Sequence, residues 1–379
     1  MRKYYALSIL SLLIIFVFYS CALNDSDEYV SLESESNKDG GSIKAPVRID
    51  LNQVPLQRLS DYGFFIGALR DQKPAYKLIP YEPASSLFSD YAHKKRFVWM
   101  PQGTSATYNG DDNVLEFPIG TVFIKTFYYD NVQPSNTRKI IETRLLVRKN
   151  DEWKLYDYIW NADQTEAFLD TDQNGVFVPI TFTENNVSRS IEYKIPSQTE
   201  CVTCHKINIQ QTVEKNTPIG PKPQNLNTMY NYGSISRNQL LYWKRIGYID
   251  NTLPNVNAIY STVDWRDTTK PLELRAKSYL DMNCAHCHRD GGHCDYVPQR
   301  LNFSNTDPYT FGICLPSLFV IPDNPYVITA GDAGRSELFY RMNTNEGSEM
   351  MPLIGRTIIH DEGVDLIREY INSLPTTCP

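Results

Sequence analysis

Residues 284–288 read Cys284-Ala285-His286-Cys287-His288, and residues 201–205 read Cys201-Val202-Thr203-Cys204-His205, so the chain spells Cys-x-x-Cys-His twice. Two thiols at that spacing can each add to a vinyl group of one porphyrin, and the adjacent histidine reaches the iron from the same turn. That is the attachment pattern of c-type haem. Zinc knuckles fit less well, because they usually place two CxxC pairs roughly 15–20 residues apart. Here 79 residues separate Cys204 from Cys284. A dithiol redox pair would need a strand-to-helix turn of a βαβ unit, which the pattern around neither motif provides. Two covalent haem c groups are therefore expected. Cys201, Cys204 and His205 would hold one, and Cys284, Cys287 and His288 the other.

Working outward from the second motif, Pro271 opens a run in which Leu272, Ala276, Tyr279 and Leu280 share a helical face leading into Cys284. An amphipathic helix follows over about 361–374, with Val364, Ile367, Ile371 and Leu374 as its apolar stripe. Met350-Met351-Pro352 lies between them, with Met351 63 residues beyond His288. A proline after the ligand stiffens the loop holding a sulfur on iron, so Met351 is the expected sixth ligand, and His/Met ligation raises the potential. Helix, motif, long loops, methionine-proline and terminal helix describe a small cytochrome c-like domain over 266–379.

The first motif lacks that plan. It follows a strand-like run at 190–195 and precedes an irregular stretch, 217–233, with a helix expected at 236–246 capped by Ser236. Met229, 24 residues past His205, is the candidate sixth ligand, with His93, Met100 or an open site as alternatives. His286 is expected to face solvent, His293 to sit in a Gly-Gly turn and His360 to lie near the start of the last helix.

Residues 46–198 read as β structure. Val114–Phe117, Thr121–Phe127, Thr143–Arg148 and Trp153–Ile159 alternate or are β-branched and aromatic, separated by turn material such as Pro118-Ile119-Gly120. An antiparallel sheet or sandwich is expected. Asp170-Thr171-Asp172-Gln173-Asn174-Gly175 opens like a calcium loop, but Thr181 stands where a bidentate Glu belongs, and a hairpin turn is the better reading. The fold class is then α+β and multi-domain, a mainly antiparallel β domain (46–198), a first haem-binding segment (199–265) and a mainly α region (266–379).

The N-terminus bears on compartment. Arg2 and Lys3 precede a 15-residue apolar run, residues 6–20, short for a membrane span but suited to a signal peptide (1–20). Ser20-Cys21 resembles a lipoprotein box, so Cys21 is the expected lipidation site, followed by a Ser-, Asp- and Glu-rich tether (21–45). Export suits haem attachment, which takes place beyond the inner membrane. Cys294, Cys314 and Cys378 remain, and a Cys294–Cys314 disulfide closing a 19-residue gap is favoured, leaving Cys378 free or paired with another molecule. The net charge of −7 becomes −9 without Arg2 and Lys3, and no basic stripe invites nucleic acid.

The chain resembles an uncharacterised family of di-haem c-type cytochromes of Gram-negative bacteria, often encoded beside a predicted parallel β-helix protein. The resemblance runs over about residues 57–375. It rests on Leu87-Phe88-Ser89-Asp90-Tyr91-Ala92, Phe117-Pro118-Ile119-Gly120-Thr121-Val122, Glu142-Thr143-Arg144-Leu145-Leu146-Val147, Asn283-Cys284, Gly331-Asp332-Ala333-Gly334-Arg335-Ser336 and Met351-Pro352-Leu353-Ile354-Gly355. The C-terminal part is similar to class I cytochrome c domains. The resemblance implies two haems, export, the ligands His205, His288 and Met351, and a β-helix protein as a candidate partner. It supplies no activity, and Cys294 and Cys314 depart from its simplest pattern. The expected role is electron relay by a lipid-anchored protein facing the periplasm or on the outer membrane, with a redox protein as partner. The alternatives are a peroxidase-like enzyme with an open first haem, or a β-domain recognition module with redox-sensing haems.

Overall fold

The computed structural model describes residues 47–379 except 151, 173, 210–212, 320 and 376; the expected signal peptide, Cys21 and the tether lie outside the described residues. Strands β1 (Phe65–Ile66) and β2 (Lys73–Pro74) form a small pair. An eight-stranded antiparallel sheet then runs through β3 (Ile79–Pro80), β4 (His93–Trp99), β5 (Val122–Val132), β6 (Thr137–Lys149), β7 (Glu152–Trp160), β8 (Ala167–Leu169), β9 (Val176–Glu184) and β10 (Val187–Ile195). Its order is β10-β9-β5-β6-β7-β8, with β4 beside the first half of β5 and β3 beside β4.

Alternation along β5 explains why both faces of this sheet are covered. Val122, Ile124 and Tyr128 join Leu145, Val147, Tyr158 and Trp160 in one core. Phe123 points the other way, with Leu146, Trp153 and Leu155. Farther along that same face, Phe127 and Tyr129 pack with Ile141, Phe182 and Tyr193. Asn185 and Asn186, both at positive φ (49° and 63°), make the two-residue turn between β9 and β10, a geometry asparagine tolerates. The Asp170–Gly175 stretch is not a hairpin turn, for it joins β8 to β9, which are not neighbours in the sheet. Val114–Phe117 contributes one isolated bridge, Thr107 to Glu116, rather than a strand.

Residues 199–265 do not stand apart from the sheet. Helices α1 (Gln198–His205), α2 (Pro223–Leu226) and α3 (Gln239–Arg245) are accompanied by hairpins β11–β12 (Lys206–Ile209, Val213–Asn216) and β13–β14 (Met229–Asn231, Ser236–Asn238). Cys201, Leu226, Tyr232, Leu240 and Trp243 share the core of Phe123 and Trp153. The helix expected from Ser236 begins later, because Asn238 caps it by accepting from Leu241 N, and Ser236–Asn238 pairs as a strand.

In the last third, α4 (Leu272–Asn283) and α6 (Asp361–Ser373) pack together, with α5 (Glu337–Met342) beside them and long irregular segments between. The expected mainly helical region is thus three helices joined largely by non-repetitive chain. Gly363 lets α6 approach α4, since a Cβ there would lie 2.3 Å from the Tyr279 hydroxyl. Cys314 pairs with Cys378, their Cα atoms 5.2 Å apart, and Cys294 is a free, buried thiol. The Cys294–Cys314 pairing is therefore corrected: the chain after α6 returns to the Cys314 loop, where Ala330 N donates to Cys378 Sγ.

The two halves are tied by the segment 87–92. Phe88 N donates to Asn283 Oδ1 at 2.7 Å. The buried Asp90 carboxylate accepts from Thr357 N (2.7 Å), Thr357 Oγ1 (2.9 Å) and Ile358 N (3.1 Å). His360, at the start of α6 as expected, stacks on Phe88 at 4.1 Å and lies 2.9 Å from the Tyr279 hydroxyl. Burial pulls its pKa from 6.5 to about 4, with Lys94 and Arg266 adding to the fall and Glu362 opposing it.

Because the unfolded chain binds a proton near pH 6.5 and the folded ring only near 4, this stability is full above about 6.5 and is lost as pH falls toward 4. Urea unfolding from pH 7 to 4 should cost the wild type about 3 kcal/mol more than His360→Gln. Parallel pH profiles for the two proteins would count against it.

Candidate cofactor-binding site

The second motif begins where α4 ends. Cys284 is the C-cap of α4, and Cys287 N and His288 N both bond back to Cys284 O, at 3.1 and 3.0 Å, folding the pentapeptide into one compact turn. Opposite it lies an apolar cleft, partly open to solvent. Cys284, Cys287 and His288 line one side, and Met342, Met351 and Leu353 are among the residues that complete it. Met350 is not among its lining residues, so the chain presents the expected methionine of the pair. Nearly all of the lining surface is carbon.

Sequence reasoning missed what holds Met351 there. Arg356 is buried and donates to five acceptors, among them Met351 O (3.1 Å), Thr344 O (2.7 Å) and Asn345 Oδ1 (2.7 Å). Met351 N in turn donates to Arg341 O at 2.8 Å. A planar guanidinium suits this task, since its rigid fork can serve several carbonyls at once. Cys294, assigned to a disulfide from sequence, instead lines the same cleft beside Cys287 and His288.

The first motif occupies α1. A capping box fixes its start: Ser197 Oγ accepts from Glu200 N, and the Glu200 carboxylate accepts from Ser197 N. At its end His205 Nδ1 donates to Thr217 O at 2.7 Å. The carbonyl can only accept, so Nδ1 carries the proton and Nε2 keeps its lone pair, the usual setting of a metal-binding imidazole. Cys201 and His205 line a smaller, tight cleft with Arg144, Tyr156, Asp157 and Gln198.

None of the sequence candidates for a sixth ligand reaches that cleft. Met229 sits on β13, 61% exposed and paired opposite Asn238. His93 lies on β4 against Tyr128 and Glu184, and Met100 is packed in the sheet core. Met229 is therefore withdrawn as a ligand, because the β13–β14 hairpin holds it in solvent.

The two motifs meet. The donor atoms of Cys204, His286 and Cys287 all lie within 4.8 Å of one another. His286, expected in solvent, is partly buried there and its Nδ1 has no partner. Gly291 supports the junction, because Asn208 N donates to its carbonyl at 2.7 Å and a Cβ would lie 2.3 Å from Asn208 O. His293 sits in the adjoining Gly-Gly turn, as expected, and is exposed. Cys201 and Cys284 stay outside the cluster, so the four motif cysteines do not converge as a zinc Cys₄ site requires.

No family model matches the chain, and neither a curated protein nor a solved structure does. Among the described residues no helix is long and apolar enough to cross a membrane.

Arg356→Ala should cost about 2–4 kcal/mol in denaturant unfolding, since it strands several buried acceptors. Arg356→Lys should recover only part of that, because one ammonium cannot serve all five.

Proposed function

We propose that the chain is an exported di-haem c-type cytochrome, anchored through Cys21, that relays electrons to or from a redox protein. The observation that carries this reading is the cleft in which the second motif and Met351 share one apolar lining. Haem c, joined through Cys201 and Cys204 and through Cys284 and Cys287, would supply one-electron iron chemistry at each motif. The remainder falls to the chain. His288 and Met351 offer nitrogen and soft sulfur to one metal centre, a pair that raises the potential. Val297, Leu301 and Leu338 give it an apolar wall. Thr217 O fixes the tautomer and aim of His205. Cys204 beside Cys287 brings the two attachment points together, so electrons would pass between motifs without crossing solvent.

This reading also places the chain in the uncharacterised di-haem family, with a class I-like layout around the second motif. One observation favours a second reading, in which the first centre is open and reduces a small oxidant such as peroxide. Neither methionine nor a second histidine lines the first cleft, whereas Arg144, Tyr156 and Asp157 do. Those groups can position and protonate an oxygen ligand.

Produced with a haem-attachment system, the protein should carry two haems per chain by the pyridine haemochrome assay. Met351→Ala should convert one of them from methionine-ligated to high-spin or water-ligated. Absence of covalent haem would overturn the proposal, and carbon monoxide binding by the reduced wild type would favour the open-centre reading over pure relay.

A further inference from the structure

The junction of the two motifs gathers side chains whose common chemistry is metal binding. Cys204, near the end of α1, His286 and Cys287 each offer one donor atom, and these three atoms lie within 4.8 Å of one another. Two thiols and an imidazole form a soft donor set, which selects zinc(II) or copper(I) over calcium or magnesium. All three residues are half-buried, and His286 Nδ1 is buried with no hydrogen-bond partner. A ring nitrogen left so is costly, and coordination would supply the missing partner. The cluster takes one cysteine from each motif, since Cys201 and Cys284 stay outside it, so it is not a CxxC knuckle.

The backbone fixes this cluster from both sides. The capping box of Ser197 and Glu200 sets the start of α1, and at its end Thr217 N donates to His205 O at 2.7 Å. Cys287 is held twice, its N donating to Cys284 O and its O accepting from Cys294 N, both at 3.1 Å. Strand β11 leads straight on from α1, and its Asn208 N bonds Gly291 O, which sets one motif against the other. A side chain at residue 292 would break that fit, because a Cβ there would lie 2.4 Å from Cys287 O. Ligands on elements fixed in this way lose little freedom when they bind. With Zn–S about 2.3 Å and Zn–N about 2.0–2.1 Å, the donors of a tetrahedral site stand roughly 3.5–3.8 Å apart. The three atoms here need to close by at most about 1 Å, which side-chain rotation can supply. Cys294, a free buried thiol, hydrogen-bonds Cys287 and borders the same cleft, so a fourth ligand is at hand.

We infer that Cys204, His286 and Cys287 of the haem-free chain bind one thiophilic metal ion, zinc(II) or copper(I), at the junction of the two motifs. The inference does not need the di-haem reading, but the two bear on each other. A sulfur joined to a porphyrin as a thioether has lost the thiolate charge that draws such an ion. The ion and the haems therefore exclude one another, and the ion belongs to the chain before attachment. There it would keep the neighbouring thiols of Cys204 and Cys287 from joining each other in an oxidising compartment.

The test uses the full chain produced without a haem-attachment system and kept reduced, with zinc(II) and copper(I) each titrated against a chromophoric chelator. One ion should bind per chain, and cobalt(II) in its place should show thiolate charge-transfer and tetrahedral d–d bands. Cys204→Ser, Cys287→Ser and His286→Gln should each weaken binding roughly tenfold or more, while Cys201→Ser and Cys284→Ser bind as wild type. Two ions per chain, or equal losses in Cys201→Ser and Cys204→Ser, would place binding in each motif separately and overturn the inference. Wild-type affinity in all three ligand variants would overturn it too. Circular dichroism checks the fold of each variant, and should a cysteine variant not fold, His286→Gln decides alone. Once loaded with two haems the chain should no longer take up the ion, and uptake at undiminished affinity would again overturn the inference. Failure of haem attachment would strike the di-haem reading alone, because the titration needs no haem.

Discussion

The carboxylate of Asp90 carries more of this molecule than its size suggests. It is 2% exposed and accepts three hydrogen bonds from Thr357 and Ile358. Burial raises its pKa while those donors lower it, so the ion is tolerated only because the C-terminal segment arrives to bond it. That segment follows Arg356 directly, and Arg356 holds Met351 in the cleft of Cys284 and His288. Two residues earlier, Phe88 holds Asn283, the last residue of α4. The β half therefore positions both the motif and the methionine through six consecutive residues, 87–92.

This bears on why the two motifs differ. The second is set between helices, with an apolar lining and a methionine fixed by buried hydrogen bonds. The first is a helix laid on a sheet, capped at its start by Ser197 and Glu200 and bordered by the polar side chains of Arg144, Asp157 and Gln198. On the di-haem reading, apolar surroundings and soft sulfur would suit plain electron transfer at the second motif, while Arg144 and Asp157 give the first a polar border. The asymmetry follows from the partner each motif packs against.

Much of the framework was legible because it depends on local periodicity. The alternation in Thr121–Phe127 and Trp153–Ile159, the face of Leu272–Leu280 and the stripe of 361–374 each require only one element and one side facing a core. What escaped depends on where the chain returns. Asp170–Gly175 has hairpin residues but links strands that are not neighbours. Cys378 rather than Cys294 meets Cys314 because the chain after α6 folds back. Ser236 has a capping side chain, yet Asn238 wins because β13 pairs with the residues before it. Arg356 gave no signal, since its meaning lies in carbonyls distant in sequence. That Met351 lines the cleft of the second motif was legible from its distance to that motif, whereas Met229 lacked any such constraint.

The nearness of Cys204 to Cys287 has a consequence for the order of events in the protein's life. On the di-haem reading the chain folds in an oxidising compartment, where two such thiols left free side by side are prone to join, and a cross-link between the motifs would block both. Attachment would then have to come before the final docking of hairpin β11–β12 on Gly291. The folded form would act as a checkpoint in maturation, closed to chains that arrive unmodified.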